Sequence, residues 1–165
     1  MCSLAHNGDI HYLVSITHCK DNIYTALNVK SNSIEYIPIG VIHSPYRSEG
    51  DAPRQSFLAE DGESAVIEIF KKFCDGLKDL DKINHIVVVY HLHLSDGYSL
   101  KTIGNNGLRG VFATRSPRRP NPIGISVVKI LSIDGCFITI DKIDAVDGTP
   151  VLDIKPFYEE IDGVR

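Results

Sequence analysis

The most restrictive feature of this chain is a series of short β-type segments separated by turn residues. They are rich in Val, Ile and aromatic residues and are bounded by Gly, Pro, Asn or Asp, as strands are. The segments are Ile34–His43, Ser64–Ile69, Ile86–His93, Ile123–Ile133, Phe137–Ile143 and Val151–Ile154. Only Ile69 to Leu80 has apolar residues at helical spacing. The pattern predicts a mainly β protein, a small β-barrel with one or two short helices.

The same pattern argues against the common nucleotide-binding α/β fold. A doubly wound parallel sheet needs several helical crossovers, which this sequence lacks. No GxGxxG turn is present, and the glycine-rich stretch from Gly104 to Gly110 has the wrong spacing and lies in the middle of the chain. A nucleotide ligand would therefore have to be bound by a fold that is not of the Rossmann type.

The length of 165 residues suits one domain, here assigned to residues 34–165. Residues 1–33 alternate apolar and polar positions and end in a polar run, which predicts a separate extension formed by a hairpin. We expect neither a membrane span nor a secretory signal, because there is no long apolar run and no basic start before one. The cysteines are widely spaced and form no CxxC pair, at Cys2, Cys19, Cys74 and Cys136. This spacing predicts free thiols in a reducing cytoplasm.

Charge is distributed unevenly along the chain. The net charge is −4, yet the segment from Gly97 to Ile133 contains no acidic residue. Its basic residues are Lys101, Arg109, Arg115, Arg118, Arg119 and Lys129. This is the pattern expected of a protein that meets an anion locally, and a solvated basic loop is the simpler alternative.

Within that segment, the stretch from Thr114 to Gly124 has three prolines in six residues. Proline fixes φ and removes an N–H donor, which predicts a stiff, extended loop rather than a helix. Three arginines, Arg115, Arg118 and Arg119, would be held on this frame, which lowers the entropy cost of clamping an anion. A proline-rich surface turn without further role is the alternative.

Two further motifs carry polar side chains suited to a ligand. The run from Asp147 to Pro150 is a turn signal, and after it Asp153 and Lys155 share one face of a strand. The carboxylate of Asp153 could pair with the arginine loop or accept a hydrogen bond from a ligand amino group. The run Ala52-Pro53-Arg54-Gln55 carries side chains that can reach an adenine edge or a carboxylate.

A pair of histidines, His91 and His93, lies on one face of a predicted strand. Such a pair can bind a metal ion, but no third ligand is evident, so no metal site is predicted. A role for His93 in a site at the end of the strand is favoured, with a purely structural histidine as the alternative.

Together these motifs resemble the TsaA-like (TrmO) family of tRNA N6-threonylcarbamoyladenosine methyltransferases, over about Ile37 to Tyr158. The stretches GVFATRSPRRPNPIGIS and DGTPVLDIKPF occur in the family's order with APRQ and the strand-end histidine. The resemblance implies a small β-barrel that binds S-adenosylmethionine and is usually a homodimer with the cofactor near the subunit interface. It also implies methylation of N6 of threonylcarbamoyladenosine next to the tRNA anticodon.

The resemblance also implies a set of cofactor contacts, matched motif by motif. They are Pro53, Arg54, Gln55, His93, Leu94, Arg115, Ile125, Asp147, Gly148, Thr149 and Pro150. Ile125 stands where leucine is more usual, and Leu94 stands where the family often has a charged residue. Arg118 and Arg119 would meet tRNA phosphates.

Methyl transfer from a sulfonium is an in-line displacement in which positioning supplies much of the catalysis. The weakly nucleophilic target nitrogen can require a base, for which His93 and Asp147 are candidates, with Asp153 behind them. The sequence leaves the choice open. It also leaves open a methyltransferase with another substrate, an RNA-binding module without activity, and a metal-dependent hydrolase built on His91 and His93.

Overall fold

The computed structural model describes residues 34–53, 64–104 and 107–163. The chain divides into two units, Met1–Pro38 and Ile39–Arg165. The hairpin predicted in residues 1–33 lies outside the described residues, and everything below concerns the second unit.

Six strands of this unit close into a barrel in the order β1-β2-β7-β6-β3-β8, and each neighbouring pair is antiparallel. They are β1 (Gly40–His43), β2 (Ala65–Ile69), β3 (His85–His91), β6 (Ile123–Asp134), β7 (Phe137–Ile140) and β8 (Thr149–Pro156). Closure pairs both edges of every strand. The predicted mainly β barrel is confirmed.

Period-two alternation explains why these sequences form strands around one core. In β2 the odd positions face inward, with Ile67 fully buried, and in β3 the inward positions are Ile86, Val88 and Tyr90. These side chains meet Ile138 and other branched residues of the facing strands in a single cluster. Burial of such branched aliphatic side chains is the main favourable contribution to the barrel's stability.

The predicted helix from Ile69 to Leu80 is wrong in type. The chain forms a 3₁₀ helix at Lys71–Leu77 and a second at Leu80–Lys82. Asp79 between them has φ of 65°, a left-handed conformation that an α-helix cannot continue through. The apolar spacing still has its expected effect, because Phe73, Leu77 and Leu80 pack against the core. The α-helix of this unit, α1, is short and covers Glu159–Asp162.

A two-stranded hairpin, β4 (Lys101–Gly104) and β5 (Gly107–Gly110), forms a separate small sheet. Its register places Ile103 opposite Leu108 and Thr102 opposite Arg109. This hairpin was not among the strands predicted from the sequence. A signal was present, since a two-residue Asn-Asn connection between glycines is typical of tight hairpin turns.

A disulfide joins Cys74 to Cys136, so the prediction of free thiols is wrong for these two residues. They are 62 positions apart in sequence, but their Cα atoms lie 5.3 Å from each other. The first 3₁₀ helix and the β6–β7 turn, which carry them, meet at one end of the barrel, and linear spacing gives no indication of this. Cys2 and Cys19 lie outside the described residues. Among the described residues, no helix has the length and apolar character needed to cross a membrane.

Candidate active site at one end of the barrel

The chain's motif residues gather where β1 and β3 end and β6 and β8 begin. The register pairs Ile42 with Thr149 and His91 with Ile123, which brings these four strand termini to the same end of the barrel. We call this the site end. Sequence-distant motifs are neighbours here because antiparallel strands alternate in direction around the ring.

Main-chain hydrogen bonds anchor the Asp147–Pro150 turn to the loop that follows β1. The N–H of Asp147 donates to the carbonyl of Tyr46, and the N–H of Gly148 donates to the carbonyl of Ile42, each at 2.8 Å. Gly148 has φ of 78°, so the turn needs glycine at this position. The turn predicted from sequence is thereby fixed against the barrel wall.

The Asp147 carboxylate is held by several partners. One oxygen accepts from the N–H of Ser44 at 3.1 Å, and the other accepts from the Arg47 guanidinium. His43 Nδ1 lies 3.9 Å from the first oxygen, and its Nε2 lies 2.8 Å from Glu68. Arg47 and Ser44 were not identified from the sequence, because they lie outside the family-like motifs. Asp147 is therefore an oriented anionic acceptor with 27% of its side chain exposed.

His93 contacts the same turn through Thr149. The Thr149 hydroxyl lies 3.3 Å from His93 Nδ1 and donates to the Val146 carbonyl at 2.6 Å. Burial, and next the neighbouring His91, lower the pKa of His93 below its ordinary value. A lowered pKa favours the neutral imidazole, which can accept a proton.

His91 makes different contacts from His93. Its ring forms a hydrogen bond to the Pro122 carbonyl, and the N–H of Leu92 donates to that carbonyl at 2.8 Å. Burial lowers the pKa of His91, and the bond to Pro122 opposes that effect. The two histidines thus engage separate partners. Within residues 34–53, 64–104 and 107–163, no group of three or more His, Cys, Asp or Glu side chains is placed to hold a metal ion.

A buried cluster that the sequence analysis missed lies just inside the site end. The Tyr90 hydroxyl lies 3.0 Å from both Ser126 Oγ and Asp144 Oδ1, and Ser126 donates to the same carboxylate at 2.5 Å. Burial, followed by the charge of Asp144, raises the pKa of Tyr90, while the positive charge of Arg115 acts in the opposite direction. The phenol therefore stays protonated as a donor, and Arg115 is close enough to act on it.

Gly124 packs directly on that cluster. A Cβ at this position would lie 2.2 Å from the Tyr90 ring. The two residues are paired across β3 and β6, and both face the interior. Glycine is needed at position 124 because the Tyr90 ring occupies the space that a side chain would fill.

The arginine loop, residues 114–124, is folded by two tight turns. The N–H of Arg119 donates to the Pro117 carbonyl, and the N–H of Ile123 donates to the Asn121 carbonyl. The loop contains no helix, as predicted, but it is bent rather than extended, because prolines also favour turns. Arg119 is half-buried and donates to the Thr114 carbonyl at 3.4 Å, so it supports the loop.

The other two arginines of the loop are more exposed to solvent than Arg119. Arg115 and Arg118 are both exposed. The N–H of Ser99 donates to the Arg118 carbonyl at 3.4 Å, which ties the loop's main chain to the preceding segment while the side chain remains in solvent. These two guanidinium groups are thus available to ligands.

Asp153 is not part of the site end. It pairs with Val89 in register, on the outer face of the barrel, and its carboxylate forms an ion pair with Lys155 at 2.5 Å. The two charges share one face, as the alternation predicted. The pairing of Asp153 with the arginine loop that the sequence suggested is wrong, because Lys155 on the same strand is its partner.

The other predicted contacts are spread between the site end and the surface. Pro150 is fully buried and Pro53 is half-buried, whereas Leu94 is exposed. Ile125 is 54% exposed on the outer face of β6, so its side chain points away from the barrel interior. Arg54 and Gln55 lie outside the described residues.

These features define a class of protein: a small antiparallel β-barrel with a polar site at one end, beside a basic proline-rich loop. Residues 41–163 match the tRNA-methyltransferase O (TrmO) N-terminal domain, and the chain belongs to this family. Membership confirms the predicted class, S-adenosylmethionine-dependent tRNA methyltransferases.

Relatives support this assignment. A Pyrococcus abyssi protein described as a probable S-adenosyl-L-methionine-binding protein is 46% identical over 77% of this chain and 70% of its own length. The tRNA (adenine(37)-N6)-methyltransferase of Escherichia coli is 37% identical over 76% of this chain and 58% of its own. The crystal structure of TrmO from Pseudomonas aeruginosa is 34% identical, with a TM-score of 0.68, over 80% of this chain and 59% of that one. This chain thus spans about three fifths of the last two proteins.

Proposed function

We propose that this protein transfers the methyl group of S-adenosylmethionine to N6 of threonylcarbamoyladenosine next to the anticodon of a tRNA. The observation that carries the proposal is the anchored Asp147–Pro150 turn, which lies against His93 at the site end. The E. coli relative, a tRNA (adenine(37)-N6)-methyltransferase, supports the same reaction class.

The residues at the site end fit S-adenosylmethionine. The cofactor has amino and hydroxyl donors, and the oriented Asp147 carboxylate provides an acceptor for one of them. Ser95 Oγ, two residues after His93, is enclosed and has no hydrogen-bond partner among the described residues. A buried hydroxyl without a partner is costly unless a ligand group or a water pairs with it. The cofactor would supply an electrophilic methyl group.

The proposed contacts follow the motifs. They are Pro53, Arg54, Gln55, His93, Leu94, Arg115, Ile125, Asp147, Gly148, Thr149 and Pro150. Arg115 is exposed beside the buried Tyr90 cluster, where its guanidinium can pair with the cofactor carboxylate. The Arg47–Asp147 ion pair orients the carboxylate that faces the ligand.

The tRNA would be held by the outer arginines of the loop. Arg118 is exposed, and its contacts with phosphates would release counterions and make binding dependent on salt. Arg119 contributes by shaping the loop and adds charge to the same surface. No acidic residue from Gly97 to Ile133 offsets this charge along the chain.

We also propose a homodimer with the cofactor site near the subunit interface. Apolar side chains are exposed on the outer face of β6, at Ile125, Val127 and Leu131, and on the hairpin, where Ile103 is 85% exposed opposite Leu108. Exposed apolar surface of this kind marks an interaction site. Ile125 would then contact the cofactor bound to the partner subunit. A monomer mass by light scattering at micromolar concentration would contradict this arrangement.

The decisive experiment is mass spectrometry of tRNA nucleosides from a strain that lacks the gene. We expect loss of the N6-methylated threonylcarbamoyl nucleoside, accumulation of its unmethylated precursor, and restoration by the wild-type gene but not by an Asp147→Ala variant. Unchanged levels of the methylated nucleoside would exclude this substrate.

The same experiment addresses the two main alternatives. Loss of a different methylated nucleoside would mean that the protein is a methyltransferase that acts on another substrate. An RNA-binding module without activity would change no nucleoside, and in calorimetry it would show no binding of S-adenosylmethionine at millimolar concentration.

A further inference from the structure

The contact between Thr149 and His93 determines which nitrogen of the imidazole carries the proton. The Thr149 hydroxyl has one proton, and it is directed to the Val146 carbonyl at 2.6 Å. Toward His93 Nδ1, 3.3 Å away, Thr149 therefore offers only an oxygen lone pair. The hydrogen bond then requires His93 to carry its proton on Nδ1 and leaves Nε2 unprotonated.

The turn keeps Thr149 in this orientation. The residue is 2% exposed, and its N–H donates to the same Val146 carbonyl at 3.2 Å. The left-handed Gly148 between them closes the turn. Because two bonds fix Thr149 to one carbonyl, its hydroxyl cannot rotate toward His93 without giving up the shorter of its hydrogen bonds.

The other candidate bases are already engaged. Asp147 accepts from the Ser44 N–H with one oxygen and from Arg47 with the other, so both of its oxygens already have donors. Asp153 is paired with Lys155 on the outer face of the barrel. Burial and the neighbouring His91 favour the neutral form of His93. Of the three candidates, His93 alone combines a neutral charge state with a defined free lone pair.

We propose that His93 Nε2 accepts the proton released from N6 of the substrate, and that Thr149 is the positioning residue that holds His93 in this tautomer. This proposal rests on the proposed function and deepens it. In the step, a bond forms between N6 and the methyl carbon while the carbon–sulfur bond breaks, and its electron pair passes to sulfur, leaving S-adenosylhomocysteine. The N6–H bond breaks, its electron pair stays on nitrogen, and the proton passes to Nε2.

The first test reads the tautomer directly in the protein without cofactor, by ¹⁵N NMR of labelled histidines. We expect wild-type His93 to show a protonated Nδ1 and an unprotonated Nε2 at the pH of the assay. A Thr149→Val variant, which keeps the shape but removes the acceptor, should shift His93 toward the other tautomer. Thr149→Ser should restore the wild-type pattern. If His93 of the wild-type protein carries its proton on Nε2 instead, the proposal is wrong, and no variant is needed to show it.

The second test separates positioning from binding. Removing a general base typically costs about 10²–10⁴ in rate, so His93→Gln should lower kcat by at least about a hundredfold. The matched control is His85→Gln, because His85 is exposed at the opposite end of the same strand. Thr149→Val should lower kcat more than it weakens binding of S-adenosylmethionine, and Thr149→Ser should recover most of the loss. Equal losses of kcat and cofactor affinity in Thr149→Val would overturn the positioning role.

Failure of this inference can be told apart from failure of the proposed function. If the wild-type protein methylates the threonylcarbamoyl nucleoside but His93→Gln retains its kcat, the base assignment is wrong and the function stands. If the wild-type protein neither binds the cofactor nor methylates tRNA, the proposed function fails and the proton-acceptor role of His93 fails with it.

Discussion

The two ends of the barrel are closed by different kinds of contact, one apolar and the other polar. At the end away from the site, which we call the closed end, the 3₁₀ helices bring apolar side chains such as Phe73, Leu77 and Leu80 against the core. The Cys74–Cys136 disulfide joins one of these helices to the β6–β7 turn. At the site end, polar and ionic contacts made by Ser44, Asp147 and Thr149 take the place of this apolar closure.

Because of this difference, we expect the closed end to contribute mainly to stability and the site end mainly to ligand binding and catalysis. Apolar closure and a covalent link can hold the closed end without presenting polar groups to a ligand. The site end instead keeps a carboxylate and an imidazole oriented and partly accessible, which is what ligand binding and proton transfer require. Changes at the closed end should therefore alter unfolding, and changes at the site end should alter binding or kcat.

The largest effect should come from breaking the disulfide at the closed end. Cys74→Ser combined with Cys136→Ser should lower the free energy of unfolding by about 2–4 kcal/mol, because the bond closes a long loop in the unfolded chain. Thermal unfolding with and without reductant measures this, and the serine variant should be insensitive to reductant. Cofactor affinity should stay unchanged. A comparable loss of affinity would show that the two ends are coupled and that the contrast between them is false.

Much of the fold follows from local patterns in the sequence. Runs rich in Val, Ile and aromatic residues between turn residues predicted β2, β3 and β6 close to their observed bounds, because such side chains favour strands. The type of the helix near Phe73 was wrong, and the spacing of apolar residues contains no signal for the left-handed Asp79 that follows it. The disulfide depends on two turns meeting in space, which no local pattern contains.

The site was predictable where its residues lie in motifs. The structure brings Asp147, Thr149 and His93 together at the site end, and these are residues that the family resemblance had grouped. The partners that orient them were missed: Arg47 and Ser44 lie in a loop without a pattern of its own. The Tyr90–Ser126–Asp144 cluster was missed for a related reason, because Tyr90 and Ser126 each look like ordinary inward positions of a strand.

The next effect in size should come from filling the space that Gly124 leaves for Tyr90. Gly124→Ala should destabilise the protein by about 1–3 kcal/mol, because the Tyr90 ring is held by Ser126 and Asp144 and cannot move away from the added methyl. The control is Gly76→Ala in the first 3₁₀ helix, where an added Cβ meets nothing within 4 Å. It should change stability by less than about 0.5 kcal/mol. Equal effects of the two alanines on thermal unfolding would mean that the site end is not tightly packed around Tyr90.

The smallest effects should come from the exposed arginines, and they should divide by ligand. Arg115→Ala should weaken binding of S-adenosylmethionine about tenfold, or about 1.4 kcal/mol, since a charged contact at an exposed position is partly screened by solvent. Arg118→Ala should leave that affinity unchanged, weaken tRNA binding, and reduce the slope of log K against log salt by about one phosphate contact. Titration calorimetry gives the first quantity, and tRNA binding at several salt concentrations gives the second. If both variants lost cofactor affinity and salt dependence together, the two arginines would not divide between the two ligands. Arg118 would then have to be counted among the residues that bind the cofactor.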